Sequence, residues 1–178
     1  SPKVVGKWVV SGYQRGYGPI FGEFTITVDP SAPDAFSTVT DITVGGKKVT
    51  RNGKATIYTG YQWRGRAQGD GDKGTWREVM MLERNGREMS GRWFSGAYDE
   101  TGIDVTLTKA GSDPILSGIS TMSLKVGATQ TVSLFGANLP TSTDVAGIGL
   151  GTGVKVNKVT PVSGGRVDVD VTVAADAK

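Results

Sequence analysis

The 178-residue sequence contains neither cysteine nor histidine. Without cysteine there are no disulfides, no thiolate metal sites and no thioether attachment of haem through a Cys-x-x-Cys-His motif. Without histidine, every triad or general base that depends on imidazole is excluded. Long apolar runs are also missing, since none approaches the roughly 20 residues that span a bilayer as a helix. A cysteine-free chain is compatible with a secreted or periplasmic protein. The opening SPKVVGKWVV lacks a charged leader, apolar region and cleavage site in order. The expectation is therefore that any export signal is removed or lies outside these residues.

Aromatic residues are scarce after Lys109, where only Phe135 remains of the 14 in the chain. The second part is dominated instead by Val, Thr, Ser, Gly and Ala. Two different cores are implied, and the length allows two small domains, expected at 1–110 and 111–178. Residues 1–110 carry 15 Lys and Arg against 12 Asp and Glu, and residues 111–178 carry 5 of each, so the net +3 sits in the first part. These charges are interspersed rather than gathered in a stripe that would neutralise several phosphates, and no nucleic acid partner is expected.

Alternation of apolar and polar residues, with turn signals every eight to twelve positions, predicts an all-β protein. Eight strands are expected in the first part, near Lys7–Gln14, Ile20–Asp29, Phe36–Val44, Lys47–Arg51, Lys54–Arg64, Thr75–Arg84, Glu88–Ser95 and Ile103–Lys109. The links VDPSAPDA, VGGKK, RNGK, QGDGDKG, RNGRE and DETG are rich in Gly, Pro, Asn and Asp. Asn85-Gly86 has the composition of a type I′ hairpin turn, which needs positive φ at both central residues. Eight sequential antiparallel strands suggest a small up-and-down barrel, because closure removes the exposed edges of an open sheet. After the linker GSDP, short β-branched stretches predict an immunoglobulin-like β-sandwich. About six or seven strands would be needed, and the ending Ala175-Asp176-Ala177-Lys178 supplies no obvious last one. The expectation is a piece of something longer, or an edge completed by a partner.

The stretch YTGYQWRGR, Tyr58–Arg66, holds three large aromatic rings and two arginines. Strand parity places Ala55, Ile57, Thr59, Tyr61 and Trp63 on one side and Thr56, Tyr58, Gly60, Gln62 and Arg64 on the other. The first set is apolar, so Tyr61 and Trp63 are expected in the barrel interior, with Arg64 and Arg66 outside or at the rim. In GRWF, parity separates Met89, Gly91 and Trp93 from Ser90, Arg92 and Phe94. One of the two adjacent rings must face outward unless a loop covers it, and that ring is the better candidate for a contact with a neighbouring domain or partner subunit. Tyr58, Arg64, Arg66, Arg92 and Phe94 form the candidate interaction surface.

Other motifs carry less chemistry. Asp70 and Asp72, and Asp99 and Glu100, fall short of a calcium loop with six or more oxygens ending in a bidentate Glu; turn chemistry accounts for them. No pair among the twelve acids of the first part is singled out for a carboxylate-based hydrolase. GIGLGTGV, Gly147–Val154, lacks the Lys-Ser/Thr and the helix of a phosphate loop, so its glycines are expected at bulges and close sheet packing. Gly6-Lys7-Trp8 and a late Arg-Trp are also found in lipocalins, which makes a small-ligand barrel an alternative; strands this short and aromatic should instead fill their own interior.

The blocks GKWVVSGYQRGYGPIFGEFTI, GKATIYTGYQWRGR and REVMMLERNGREMSGRWFSGAYDETGIDV resemble the second domain of quinohemoprotein amine dehydrogenase alpha subunits. DPILSGISTMSLKVGATQTVSLFGANLP, GIGLGTGVKV and the VTVAADA ending resemble the third domain. The resemblance implies a bacterial periplasmic assembly that oxidises primary amines, with a quinone cofactor in a small subunit, a propeller subunit and two c-type haems in a preceding domain. It also implies a fourth domain in the family after the third. No catalytic, cofactor or metal residue transfers to this chain, which would act as a structural and interaction module among the other domains or subunits.

Overall fold

A computed structural model describes residues 4–69, 74–95, 101–121 and 123–177. The chain divides into two units, Ser1–Gly111 and Ser112–Lys178. In the first, eight strands follow one another as β1 (Gly6–Gln14), β2 (Gly18–Val28), β3 (Ala35–Val44), β4 (Lys47–Tyr58), β5 (Gln62–Gly69), β6 (Trp76–Leu82), β7 (Glu88–Ser95) and β8 (Thr101–Lys109). Each pairs antiparallel with the next, and β1 pairs with β8 from Trp8↔Lys109 to Tyr13↔Asp104, closing the barrel.

Period-2 alternation sends every second residue inward. Trp8, Phe24, Phe36, Trp63, Met80, Met89, Trp93 and Leu107 meet in one buried cluster. Phe36 stacks on Trp63 with ring centroids 5.7 Å apart, and Phe24 lies edge-on to Trp63 at 6.0 Å and tilted against Trp93 at 5.6 Å. Small inward residues make room for the polar side chains that share this interior. A Cβ on Gly65 would come within 2.3 Å of a Glu78 carboxylate oxygen, and one on Gly53 within 2.5 Å of the Thr38 hydroxyl.

Two turn assignments from the sequence are corrected. RNGK is no link, because β4 runs straight through it with Asn52↔Val39 and Gly53↔Thr38 paired in register. The reversal comes at Tyr58-Thr59-Gly60-Tyr61, where the Tyr61 amide donates to the Tyr58 carbonyl at 3.2 Å. Thr59 (φ 54°) and Gly60 (φ 81°) both have positive φ, so the type I′ turn is here. Tyr61 therefore sits in a turn, 43% exposed, and not in the core, while Trp63 is fully buried. At Asn85-Gly86 only Gly86 (φ 69°) is in the left-handed region. The loop closes through Gly86 N–H to the Glu83 carbonyl at 2.9 Å, and the Asn85 side chain accepts from the Arg87 amide at 2.8 Å.

A β-branched residue at positive φ is strained, and Asn-Gly is the pair such a turn favours. Thr59→Asn is expected to stabilise the chain by about 0.5–1 kcal/mol. An unchanged or lower urea midpoint would refute the turn assignment.

The second unit contains β9 (Ile115–Ile119), β10 (Thr129–Ala137), β11 (Val154–Ser163) and β12 (Arg166–Val173). They form one four-stranded sheet in the order β11-β12-β10-β9. This is coarser than the immunoglobulin-like sandwich expected from the sequence. Val167, Val169, Val171 and Val173 of β12 are buried on one face. On the other, Asp168 accepts from Ser133 at 2.7 Å and Asp170 from Thr131 at 2.6 Å. Leu124, Leu139, Ile148 and Leu150, all outside the strands, help cover the valine face. The glycine-rich stretch thus serves a loop that lays Ile148 and Leu150 on this core, with Gly151 (φ 94°) and Gly153 (φ 82°) in its final turn. Pro161 sits beside a register shift in β11, an outer strand of the sheet, where its missing N–H costs no ladder bond.

Candidate functional site

Sequence alternation that fills the barrel also sets what lies outside it. On β4–β7 the outward positions align across strands: Lys54↔Arg66, Arg66↔Arg77 and Arg77↔Phe94 form one row, and Thr56↔Arg64, Arg64↔Val79 and Val79↔Arg92 the next. A groove of about 860 Å³ runs over these rows, walled also by Tyr58, Asp29 and Ser31. Lys54 donates to Asp29 at 2.5 Å and to the Ser37 hydroxyl at 3.0 Å. The Lys54 bond, followed by that from the Ser31 backbone, lowers the Asp29 carboxyl to about 2. Arg92 pairs with Asp104 at 3.0 Å. Arg64, Arg66 and Arg77 are exposed and form no ion pair with a described residue.

Four of the five sequence-named surface residues, Tyr58, Arg64, Arg66 and Phe94, line this groove. Tyr58 is 52% exposed. Phe94 has the expected outward parity but is only 5% exposed, so it is buried in the groove wall rather than presented to a partner. Arg92 stands one row over, tied to Asp104. Lys54 and Arg77 escape a reading of the sequence, because neither lies in an aromatic-rich motif and only the cross-strand register brings them beside Arg66. Asp70, Asp72, Asp99 and Glu100 lie outside the described residues. Among the described residues no group of three or more acids converges as an ion site.

A second polar feature lies inside the barrel. Glu78 is 3% exposed and accepts from Trp63 Nε1 at 2.8 Å. Burial pushes its carboxyl up to about 7, while the Trp63 hydrogen bond and the Arg51 charge pull it partly back. Arg51 itself lies 4.4 Å over the Trp76 ring. Trp93 Nε1 and the Thr38 hydroxyl are buried without a hydrogen-bond partner among the described residues. Thr40, Arg51, Ala67, Trp76, Glu78 and Trp93 enclose a space of about 10 Å³, the size of one water molecule. The sequence carries a signal for Glu78, since it shares parity with buried Met80 in WREVMML. A carboxyl near neutrality is a general-acid type. Among the described residues this one is the single carboxyl lining the small interior space, and it also borders the outer groove, whose wall includes Asp29.

Residues 1–110 match the family described as quinohemoprotein amine dehydrogenase, alpha subunit domain II, and residues 114–178 match domain III of the same subunit. No curated protein matches. Among solved structures, the redesigned β-barrel mFAP1 bound to DFHBI is similar at a TM-score of 0.52 and 17% identity, over 61% of this chain and 96% of that one. The redesigned barrel mFAP0, also bound to DFHBI, is similar at 0.50 and 17%, over 60% and 99%. At such identity these two speak for the barrel fold alone. With both matches in sequence order along nearly its whole length, the chain belongs to the quinohemoprotein amine dehydrogenase alpha subunit family, through its domains II and III.

Proposed function

We propose that this chain is a non-catalytic scaffold of an amine-oxidising assembly, binding other domains or subunits and performing no chemistry itself. The observation that carries this reading is the unbroken succession of domain II and domain III matches over 1–110 and 114–178. The residues present do not fit haem c, since there is no cysteine for a thioether bond and no histidine for an axial ligand. A quinone cofactor, like the haems, would reside on other parts of the assembly, which oxidises primary amines in the periplasm. The four-stranded sheet, with Leu124, Leu139, Ile148 and Leu150 over its valine face, is read as part of an immunoglobulin-like sandwich. A ligand-holding barrel is not favoured, because Trp8, Phe24, Phe36, Trp63 and Trp93 occupy the interior.

The purified chain should show no haem absorption and no dye-linked oxidation of primary amines. It should co-purify with the cytochrome-bearing, propeller and quinone-bearing parts of the assembly when these are co-expressed. Amine turnover by the chain alone would end the scaffold reading.

A further inference from the structure

The outer row of the barrel places Lys54, Arg66 and Arg77 at directly paired positions on three neighbouring strands. Adjacent strands are about 4.8 Å apart, and like charges directly opposite one another destabilise a sheet. Lys54 is neutralised by Asp29, whereas Arg66 and Arg77, with Arg64 in the next row, form no ion pair with a described residue. Three adjacent guanidinium groups, each with five N–H donors in a fixed fork, therefore face solvent together. The groove over them, about 860 Å³, is far larger than a single inorganic anion needs and lies in the range of sites for larger ligands. Tyr58, Val79 and Phe94 add apolar surface to its walls.

We propose that this groove docks an acidic, extended segment of a partner protein, whose carboxylates pair with Arg64, Arg66 and Arg77. Carboxylates on alternate residues of an extended chain lie about 6.6–6.8 Å apart, a spacing that reaches guanidinium groups on neighbouring strands. Arginine suits the task because its planar fork donates two parallel hydrogen bonds to a carboxylate. Lys54 is already paired with Asp29, so the free positive charge that the segment meets is that of the three arginines. The assignment deepens the scaffold reading by giving the partner's chemistry, and its test needs no other subunit.

The test uses the full chain and a fluorescein-labelled peptide of alternating Glu and Ser, followed by anisotropy, with alternating Lys and Ser as the control peptide. The acidic peptide should bind, and added salt should weaken it. Arg66→Glu with Arg77→Glu should weaken binding at least about tenfold, the loss expected for two charged hydrogen-bonding partners. Reversal of Lys47 and Lys48, which the groove does not include, should leave affinity within about twofold. Arg66→Glu should melt no lower than the parent, since it replaces a repulsive neighbour of Lys54 and Arg77 with an attractive one; this separates lost binding from lost folding. Equal weakening by the Lys47 and Lys48 reversals would reduce the effect to net charge and overturn the proposal. So would displacement of the peptide by equimolar inorganic phosphate. Binding that emerges only after Asp70, Asp72, Asp99 and Glu100 are neutralised would assign the groove to the chain's own acidic residues and overturn the partner assignment.

Discussion

Trp63→Ala is expected to cost about 3–5 kcal/mol of unfolding free energy, the range for truncating a fully buried tryptophan. The indole is 0% exposed and fills the middle of the barrel, stacked on Phe36 and edge-on to Phe24. Its neighbours sit on β-strands held by ladders on both sides, so they relax little into the space left behind. Truncation also removes the side-chain donor that Glu78 has among the described residues, leaving a buried carboxyl without that hydrogen bond. Trp63→Phe separates the two effects. It keeps an aromatic ring against Phe36 and loses the N–H, and should cost about 1–3 kcal/mol. Urea unfolding of both variants measures the difference, and a loss below about 1.5 kcal/mol for Trp63→Ala would show that the barrel collapses around the gap.

Glu78 should make stability depend on pH in the direction opposite to an ordinary paired carboxylate. Its folded value is raised from 4.5 to about 7 by burial, so the folded state holds the proton more tightly than the unfolded chain. The stabilising contribution is then fully present below pH 4.5 and is lost as pH rises through about 7. Each tenfold gain in proton affinity on folding is worth about 1.4 kcal/mol, which makes the whole window of the order of 3 kcal/mol. Glu78→Gln keeps an acceptor for Trp63 Nε1 and cannot ionise, so it should remove this slope. Urea midpoints at mildly acidic and mildly alkaline pH, for parent and variant, provide the check. Equal pH dependence in the two proteins would mean that Glu78 is solvated in the folded chain.

What the sequence reveals correctly and what it misplaces have separate physical causes. Parity within a strand is local, so it sends Trp63 and Trp93 inward without knowledge of any neighbour. For Tyr61 parity fails because the turn lies closer to it than the residue types suggest. Asn52-Gly53 has good turn chemistry, but its residues have partners on β3, whereas Thr59-Gly60 offers poorer chemistry where the strand has no further partner. Phe94 shows the complementary limit, since outward parity does not mean exposure when a groove wall closes around the ring. Glu78 is hard to find because a charged residue on an apolar face reads as a surface residue until the Trp63 donor and the space made by Gly65 are known.

Residue types and their order alone establish an all-β chain with two unlike cores, the exclusion of thiolate, imidazole and haem-attachment chemistry, and the family resemblance carried by its three aromatic blocks. Period-2 alternation, turn residues and absent side chains are local properties, readable one strand at a time. Closure of β1 on β8, the alignment of Lys54, Arg66 and Arg77, and the near-neutral carboxyl inside the barrel depend on register between strands. Register is set by every turn length around the closed sheet together, and a shift of one residue in any strand would turn the arginines inward and the tryptophans out.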